Sequence, residues 1–207
     1  QRSLVGSEMC IRDSPYAIIK QNKLGGFDMS FQLETPRLLL REMTPDDYPA
    51  LCEIMQDDAV MYAYEGAFDE QETQAWLEEQ LTRYEQLGFG LWAVVLKETG
   101  EMIGQCGLTL QNWKGKQVLE IGYLFQKAFW HRGYAIEAAS ACKTYAFQTL
   151  QAETVFSVIR DTNLASQNVA RRNGMKIVDN DVKHYRGVDM PHFLFSVQRH
   201  PQKSEQP

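Results

Sequence analysis

The stretch "FQKAFWHRGYAIEAASA", Phe125–Ala141, decides how the chain is to be read. An apolar segment, "VLEIGYLF", runs into it; Lys127, His131 and Arg132 gather ahead of Gly133; an alanine-rich helix follows. A strand delivered into a helix through a glycine turn exposes several backbone N–H groups, and the helix dipole reinforces them, so the joint is suited to an anion. A basic turn ahead of a helix is also how a solvated surface reads, so the stretch alone leaves both meanings open. The common nucleotide motifs are missing: there is no GxxxxGK[ST], and no GxGxxG follows a strand here.

The pattern extends outward on both sides. The helix is expected to run to about Thr149, with Ala135, Ala138, Ala139, Cys142 and Ala146 as a small-residue packing face. Then come a strand "ETVFSVI", a helix "LASQNVARRNG" closed by Gly174, and strands "MKIVD" and "HFLFSVQ". Upstream, "LWAVVLKETGEMIGQCGLTL" and "VLEIGYLF" read as three strands, joined at Thr99–Gly100 and across "QNWKGKQ". Before them, "FDEQETQAWLEEQLTRYEQLG" has a capping box at Asp69 and Glu72, an apolar face at Trp76, Leu77, Leu81 and Tyr84, and Gly88 at its end. "RLLLREM" is a strand, and Thr44, Pro45, Asp46 and Asp47 open a helix through "YPALCEIM". The order β-α-α-β-β-β-α-β-α-β-β is one mixed α/β domain with a helix-bearing crossover in its second half.

Composition narrows the function classes. The chain has 207 residues, 44% hydrophobic and 23% charged, with a formal net charge of −6. Nucleic-acid binders normally carry a basic excess, so that class is disfavoured, and an acidic surface suits cationic partners such as amines. No apolar run reaches membrane-spanning length. Cys10, Cys52, Cys106 and Cys142 form no CxxC pair and the four histidines no HExxH, so the cysteines read as small hydrophobes in a reducing compartment, and no metal is expected.

The first 28 residues look foreign to the domain. "MCIRDS", Met9–Ser14, is what the codons ATG TGT ATA AGA GAC AG followed by a pyrimidine encode, a string resembling a transposon end used in sequencing libraries. "LGGFDM" allows codons resembling a bacterial ribosome-binding site shortly before a start. Residues 1–28 are therefore expected to be translated adapter plus leader, with Met29 as initiator, residues 29–200 as the single domain and 201–207 as a flexible tail.

"EIGYLFQKAFWHRGYAIEAASACKTYAF" followed by "NLASQNVARRNGM" resembles the GNAT acyltransferase superfamily, and within it the branch of enzymes similar to ribosomal-protein N-terminal acetyltransferases. That branch typically shows "WGxGYAxEA" and "NxxSxxVxxxxGF"; the resemblance runs from about Leu33 to Gln198. It implies a central mixed, mostly antiparallel sheet, splayed in the middle and flanked by helices. It also implies acetyl-coenzyme A as co-substrate. The backbone of His131, Arg132, Gly133, Tyr134, Ala135 and Ile136 would hold the pyrophosphate, and Leu124 and Phe125 would dock the pantetheine arm. Asn163 matches a cofactor-contacting asparagine, with a helix N-cap as its other reading; Arg171, and beside it Arg172, lie where a 3′-phosphate would come, or simply favour a helix C-terminus.

Acetylating an amine requires proton removal, a donor to the carbonyl oxygen, and help for the departing sulfur. Ser166 takes the last role by resemblance, or decorates the helix start; the tyrosine position used by many members is Ala170 here. Glu120 alternates with Leu119 and Ile121 and so projects to the opposite face, as a base beside the splay or as a structural ion pair. The carbonyl donor is expected to be a backbone N–H near Leu124. Tyr62, Tyr64 and Glu65 in an early loop, with Tyr185 and Arg186 in a late one, line the acceptor pocket or pack. The expected function is a cytoplasmic N-acetyltransferase, monomer or homodimer, acting directly on a protein N-terminus. A small amine (polyamine, amino acid or aminoglycoside-type) and a non-catalytic acyl-coenzyme A sensor are the alternatives.

Overall fold

The computed structural model describes residues 32–199. The expectations for residues 1–28 and 201–207 lie outside the described residues. In chain order the strands are β1 (Gln32–Glu34), β2 (Leu38–Arg41), β3 (Leu91–Leu96), β4 (Met102–Trp113), β5 (Lys116–Phe125), β6 (Thr154–Arg160), β7 (Lys176–Tyr185) and β8 (Val188–Gln198). The helices are α1 (Tyr48–Met55), α2 (Asp58–Met61), α3 (Glu70–Leu87), α4 (Tyr134–Gln148) and α5 (Leu164–Arg172).

One sheet takes all eight strands in the order β1-β2-β3-β4-β5-β6-β8-β7. Every neighbouring pair is antiparallel except β5 and β6, which α4 connects as a parallel crossover. All of "LWAVVL" is buried, as a strand covered on both faces must be. On one face Trp92 of β3 meets Tyr145 of α4 edge to face at 5.4 Å, and the free thiols of Cys106 and Cys142 approach to 3.6 Å. Gln105, on the opposite face, accepts from Trp76 Nε1 of α3 at 2.9 Å and contacts Met55 of α1. Of the small residues expected to pack from α4, Ala138, Ala139, Cys142 and Ala146 are buried and Ala135 is half-buried.

Local signals behave as their chemistry requires. Asp69 and Glu72 form the reciprocal capping box of α3, and Gly88 ends that helix at φ 74°. The expected connection "QNWKGKQ" is instead a two-residue turn, Lys114–Gly115, with both φ values positive (49° and 80°), and β4 and β5 pair right up to it. Similarly, Arg186 and Gly187 (φ 50° and 80°) join β7 to β8, so Tyr185 ends a strand rather than sitting in a loop. Beyond the sequence pattern lie the short edge strand β1, the single-turn α2 and the 3-10 turns Tyr62–Tyr64 and Lys127–Phe129, and the expected opening of the first helix, Pro45–Asp47, is a 3-10 turn ahead of α1.

Gly107 marks the closest approach of β4 to the chain entering β3. A Cβ there would lie 2.0 Å from the Gly90 carbonyl oxygen, which accepts from Leu108 N–H at 3.0 Å. Gly107→Ala is expected to cost about 1–3 kcal/mol through overpacking. Thermal unfolding checks this; an unchanged midpoint would mean that the two strands part without penalty.

Candidate active site

The glycine turn is built outward from the end of β5. Lys127–Phe129 form one 3-10 turn, and Trp130 Nε1 donates to the Phe125 carbonyl at 2.8 Å, folding the chain back over the strand's end. His131 (φ 60°) and Gly133 (φ 81°) are both left-handed, and α4 starts at Tyr134. The first amide of this segment to find a backbone acceptor is that of Glu137, bonded to the Gly133 carbonyl at 3.2 Å. Among the described residues, the N–H groups of residues 131–136 have no recorded acceptor. His131 and Arg132 are exposed, and the Arg132 guanidinium lies 5.5 Å from the Phe129 ring.

Sequence reasoning missed Arg37. Its Nη1 donates to the Arg132 carbonyl at 3.0 Å, its Nη2 meets Glu137 at 2.6 Å, and its guanidinium lies 4.5 Å from the centre of the Tyr134 ring. Glu137 also accepts from Thr35 Oγ1 at 2.6 Å and from Arg37 N–H at 2.9 Å. Burial pushes the Glu137 carboxyl up, but these donors and the Arg37 charge more than offset it, leaving its pKa below the usual carboxylate range. An arginine near the start of a strand carries no local signal for a contact this distant in sequence.

The sheet opens between β5 and β6. Their parallel ladder has one register pair, Glu120 with Phe156, and side chains then span the widening gap. Ser157 Oγ donates to the Ile121 carbonyl at 2.8 Å, and Val158 N–H donates to Glu120 Oε1 at 2.9 Å. Glu120 Oε2 accepts from Thr109 Oγ1 at 3.2 Å. Burial pushes the Glu120 carboxyl above its ordinary range, outweighing the Val158 N–H, Lys183, Thr109 and Arg83, which pull the other way. Backbone direction alternates along an antiparallel strand. Gln126 N–H bonds to Ile103 of β4, whereas the Ile121 and Phe125 carbonyls are reached from the other side. Leu124 therefore turns its own N–H toward β4, opposite Gln105, and the amides facing the opening belong to Tyr123 and Phe125. Both flank Leu124, near which the carbonyl donor is expected.

At the head of α5, Asn163 is the N-cap: its side chain accepts from Ser166 N–H at 3.0 Å. Ser166 is half-buried, and its carbonyl accepts from Tyr123 OH at 2.9 Å. Tyr123, another residue that sequence reasoning did not single out, thus ties β5 to the turn bearing Ser166. Arg171 bonds to Gln167 at 3.0 Å and lies 5.5 Å from the Phe195 ring, and the neighbouring Arg172 is exposed.

On the opposite face of the sheet, ion pairs bring the early loop and the β7–β8 turn together. Arg160 pairs with Glu65 and donates to the Tyr62 carbonyl at 3.2 Å; Arg186 pairs with Glu72 and lies 5.4 Å from the Phe68 ring. Tyr64 packs edge to face with Phe68 and Trp76, both at 6.2 Å, and burial raises its hydroxyl pKa, with the Glu120 charge adding to the effect. Tyr62 is 42% exposed, and Arg186 lies 5.6 Å from the Tyr185 ring. No group of three or more His, Cys, Asp or Glu able to hold a metal occurs among the described residues.

Residues 37–176 match the family model described as the Acetyltransferase (GNAT) domain. YkkB of Bacillus subtilis (strain 168) is 37% identical over 145 residues, covering 70% of this chain and 84% of YkkB. Among solved structures, an acetyltransferase from Agrobacterium tumefaciens str. C58 aligns with a TM-score of 0.70 and 28% identity over 86% of this chain and all of that one. RimL, a ribosomal L7/L12 α-N-protein acetyltransferase solved in complex with coenzyme A, shares the fold at TM-score 0.68 and 18% identity, over 81% of this chain and 98% of its own.

Proposed function

The chain belongs to the GNAT acetyltransferase family, and on that premise we propose that it moves the acetyl group of acetyl-coenzyme A directly onto a primary amine, the acceptor being a protein N-terminus. One observation carries the reading: the open amides of residues 131–136 stand at the head of α4, immediately after the strand that parts from β6 at Glu120. Phosphate oxygens are the ligand such a row of donors at a helix start favours. The pyrophosphate lies there, and the pantetheine arm follows the open edge of β5 from Phe125 to Tyr123, alongside Leu124. Arg171 meets the 3′-phosphate end, and Asn163 acts through the helix it caps.

The amine approaches from the side of Tyr62, Tyr64, Glu65 and Tyr185. As its nitrogen attacks the thioester carbon, the proton passes to the Glu120 carboxylate, directly or through water. Negative charge builds on the carbonyl oxygen and is met by the Tyr123 or Phe125 amide. The carbon–sulfur bond then breaks, and Ser166 donates a hydrogen bond to the departing thiolate. RimL's name, an α-N-protein acetyltransferase, supports a protein α-amine as acceptor. The net charge of −6 suits a polyamine or another cationic small amine as the second reading. The setting is the cytoplasm, in keeping with the cysteine pattern.

A thiol-release screen with acetyl-coenzyme A against amines and N-terminal peptides tests the proposal. Release with at least one acceptor is expected; coenzyme A binding without release from any would identify a non-catalytic binder. Ser166→Ala is expected to lower the turnover rate about ten- to a hundredfold, the worth of a hydrogen bond to a charged group, with cofactor affinity unchanged. Full activity with a lowered melting temperature would reduce Ser166 to a helix residue.

A further inference from the structure

The turn that opens α4 does not hold itself. A peptide group is planar and trans, so the direction of the Arg132 carbonyl fixes the direction of the Gly133 N–H on the other side of the same plane. Arg37 Nη1 grips that carbonyl at 3.0 Å. The rest of the guanidinium is occupied in ways that leave little freedom: Nε bonds to Glu137 Oε2 at 2.7 Å, Nη2 meets the same oxygen at 2.6 Å, and the flat face lies against Tyr134. Thr35 Oγ1 and Arg37 N–H secure the other Glu137 oxygen, so the short segment between β1 and β2 is fastened to the first turn of α4 from both ends. His131 and Gly133 are both left-handed, and rotation of the peptide between Arg132 and Gly133 would re-aim the Gly133 amide.

We propose that Arg37 is a positioning residue for the donor's pyrophosphate: through the Arg132 carbonyl it aims the Gly133 amide, and through Glu137 it locks the start of α4. This rests on the pyrophosphate reading of residues 131–136. Arg37 acts through the backbone and leaves the chemistry at Glu120 untouched. Its effect is therefore specific to donors that carry the pyrophosphate.

Calorimetry with coenzyme A and with pantetheine, which keeps the arm but lacks every phosphate, reads this directly. Arg37→Met is expected to weaken coenzyme A binding tenfold or more while leaving pantetheine binding as in wild type. Arg37→Lys, which keeps the charge but replaces the fixed fork of the guanidinium by donors on a single nitrogen, should fall between. Pantetheine binding also serves as the check that each variant is folded. Equal loss for both ligands would make Arg37 a general structural residue and overturn the proposal, as would unchanged coenzyme A affinity in Arg37→Met. Wild-type protein that does not distinguish the two ligands would instead remove the pyrophosphate reading itself, and the role of Arg37 with it.

Discussion

Glu120→Gln is expected to lower kcat/KM near neutral pH by about a hundred- to ten-thousandfold, the usual worth of a general base. The carboxylate stands where β5 and β6 separate, held by Val158 N–H and Thr109 Oγ1, and burial raises its pKa. A raised carboxyl is a stronger base, closer to what an amine requires. It must be ionised to accept the proton, so wild-type activity should climb as pH rises through that elevated pKa. In the glutamine variant this limb disappears, and the residual rate follows the substrate's own deprotonation, near pH 8 for an α-amine or about 10.4 for a lysine. The stability effect has a definite sign. A carboxyl whose folded pKa is raised favours the folded state while protonated, and that contribution is lost as pH rises through the folded value. The variant escapes that loss, so it should hold its melting temperature above this pH. A structural bridge between β5 and β6 predicts the reverse: a lower melting temperature with superimposable pH profiles for the folded proteins.

Gly133→Val should weaken coenzyme A binding about ten- to a hundredfold in a protein that still folds. The residue sits at φ 81°, where a β-branched side chain is strained by about 1–3 kcal/mol. A Cβ there would lie 3.5 Å from Arg37 Nη2, an ordinary contact. Collision of the Cβ with the protein itself is therefore not the main cost. The turn abandons its left-handed geometry, and the amides on either side lose their common aim. Calorimetry on the folded variant measures this, and unchanged affinity would refute the pyrophosphate assignment.

The parts of the fold written in short-range chemistry were readable in the sequence. Asp69 and Glu72, three positions apart, announce α3; Gly88 and Gly133 mark its end and the start of α4; the wholly apolar "LWAVVL" suits a covered strand. What escaped depends on pairing across the sheet. Gln32–Glu34 is too short to show a period and becomes a strand because Leu39–Arg41 lies beside it. β7 is an edge strand whose largely exposed residues hide its length, set by the Arg186–Gly187 turn. The site divides the same way. The glycine turn and Ser166 belong to contiguous motifs, whereas Arg37, Tyr123 and Arg160 matter through partners distant in sequence. Leu124 shows the same limit: only the register with β4 reveals that the amides facing the opening are those of its neighbours.

Joining the turn, the opening and Glu120 is the claim that thioester and amine meet in one complex and that the acetyl group never rests on the protein. Initial velocities measured over a grid of acetyl-coenzyme A and acceptor concentrations, with the acceptor identified by the thiol-release screen, test it most directly. Double-reciprocal lines should intersect, with no acetylated protein after incubation with acetyl-coenzyme A alone. Parallel lines, together with an acetyl group on Ser166, would contradict direct transfer and make that serine a nucleophile.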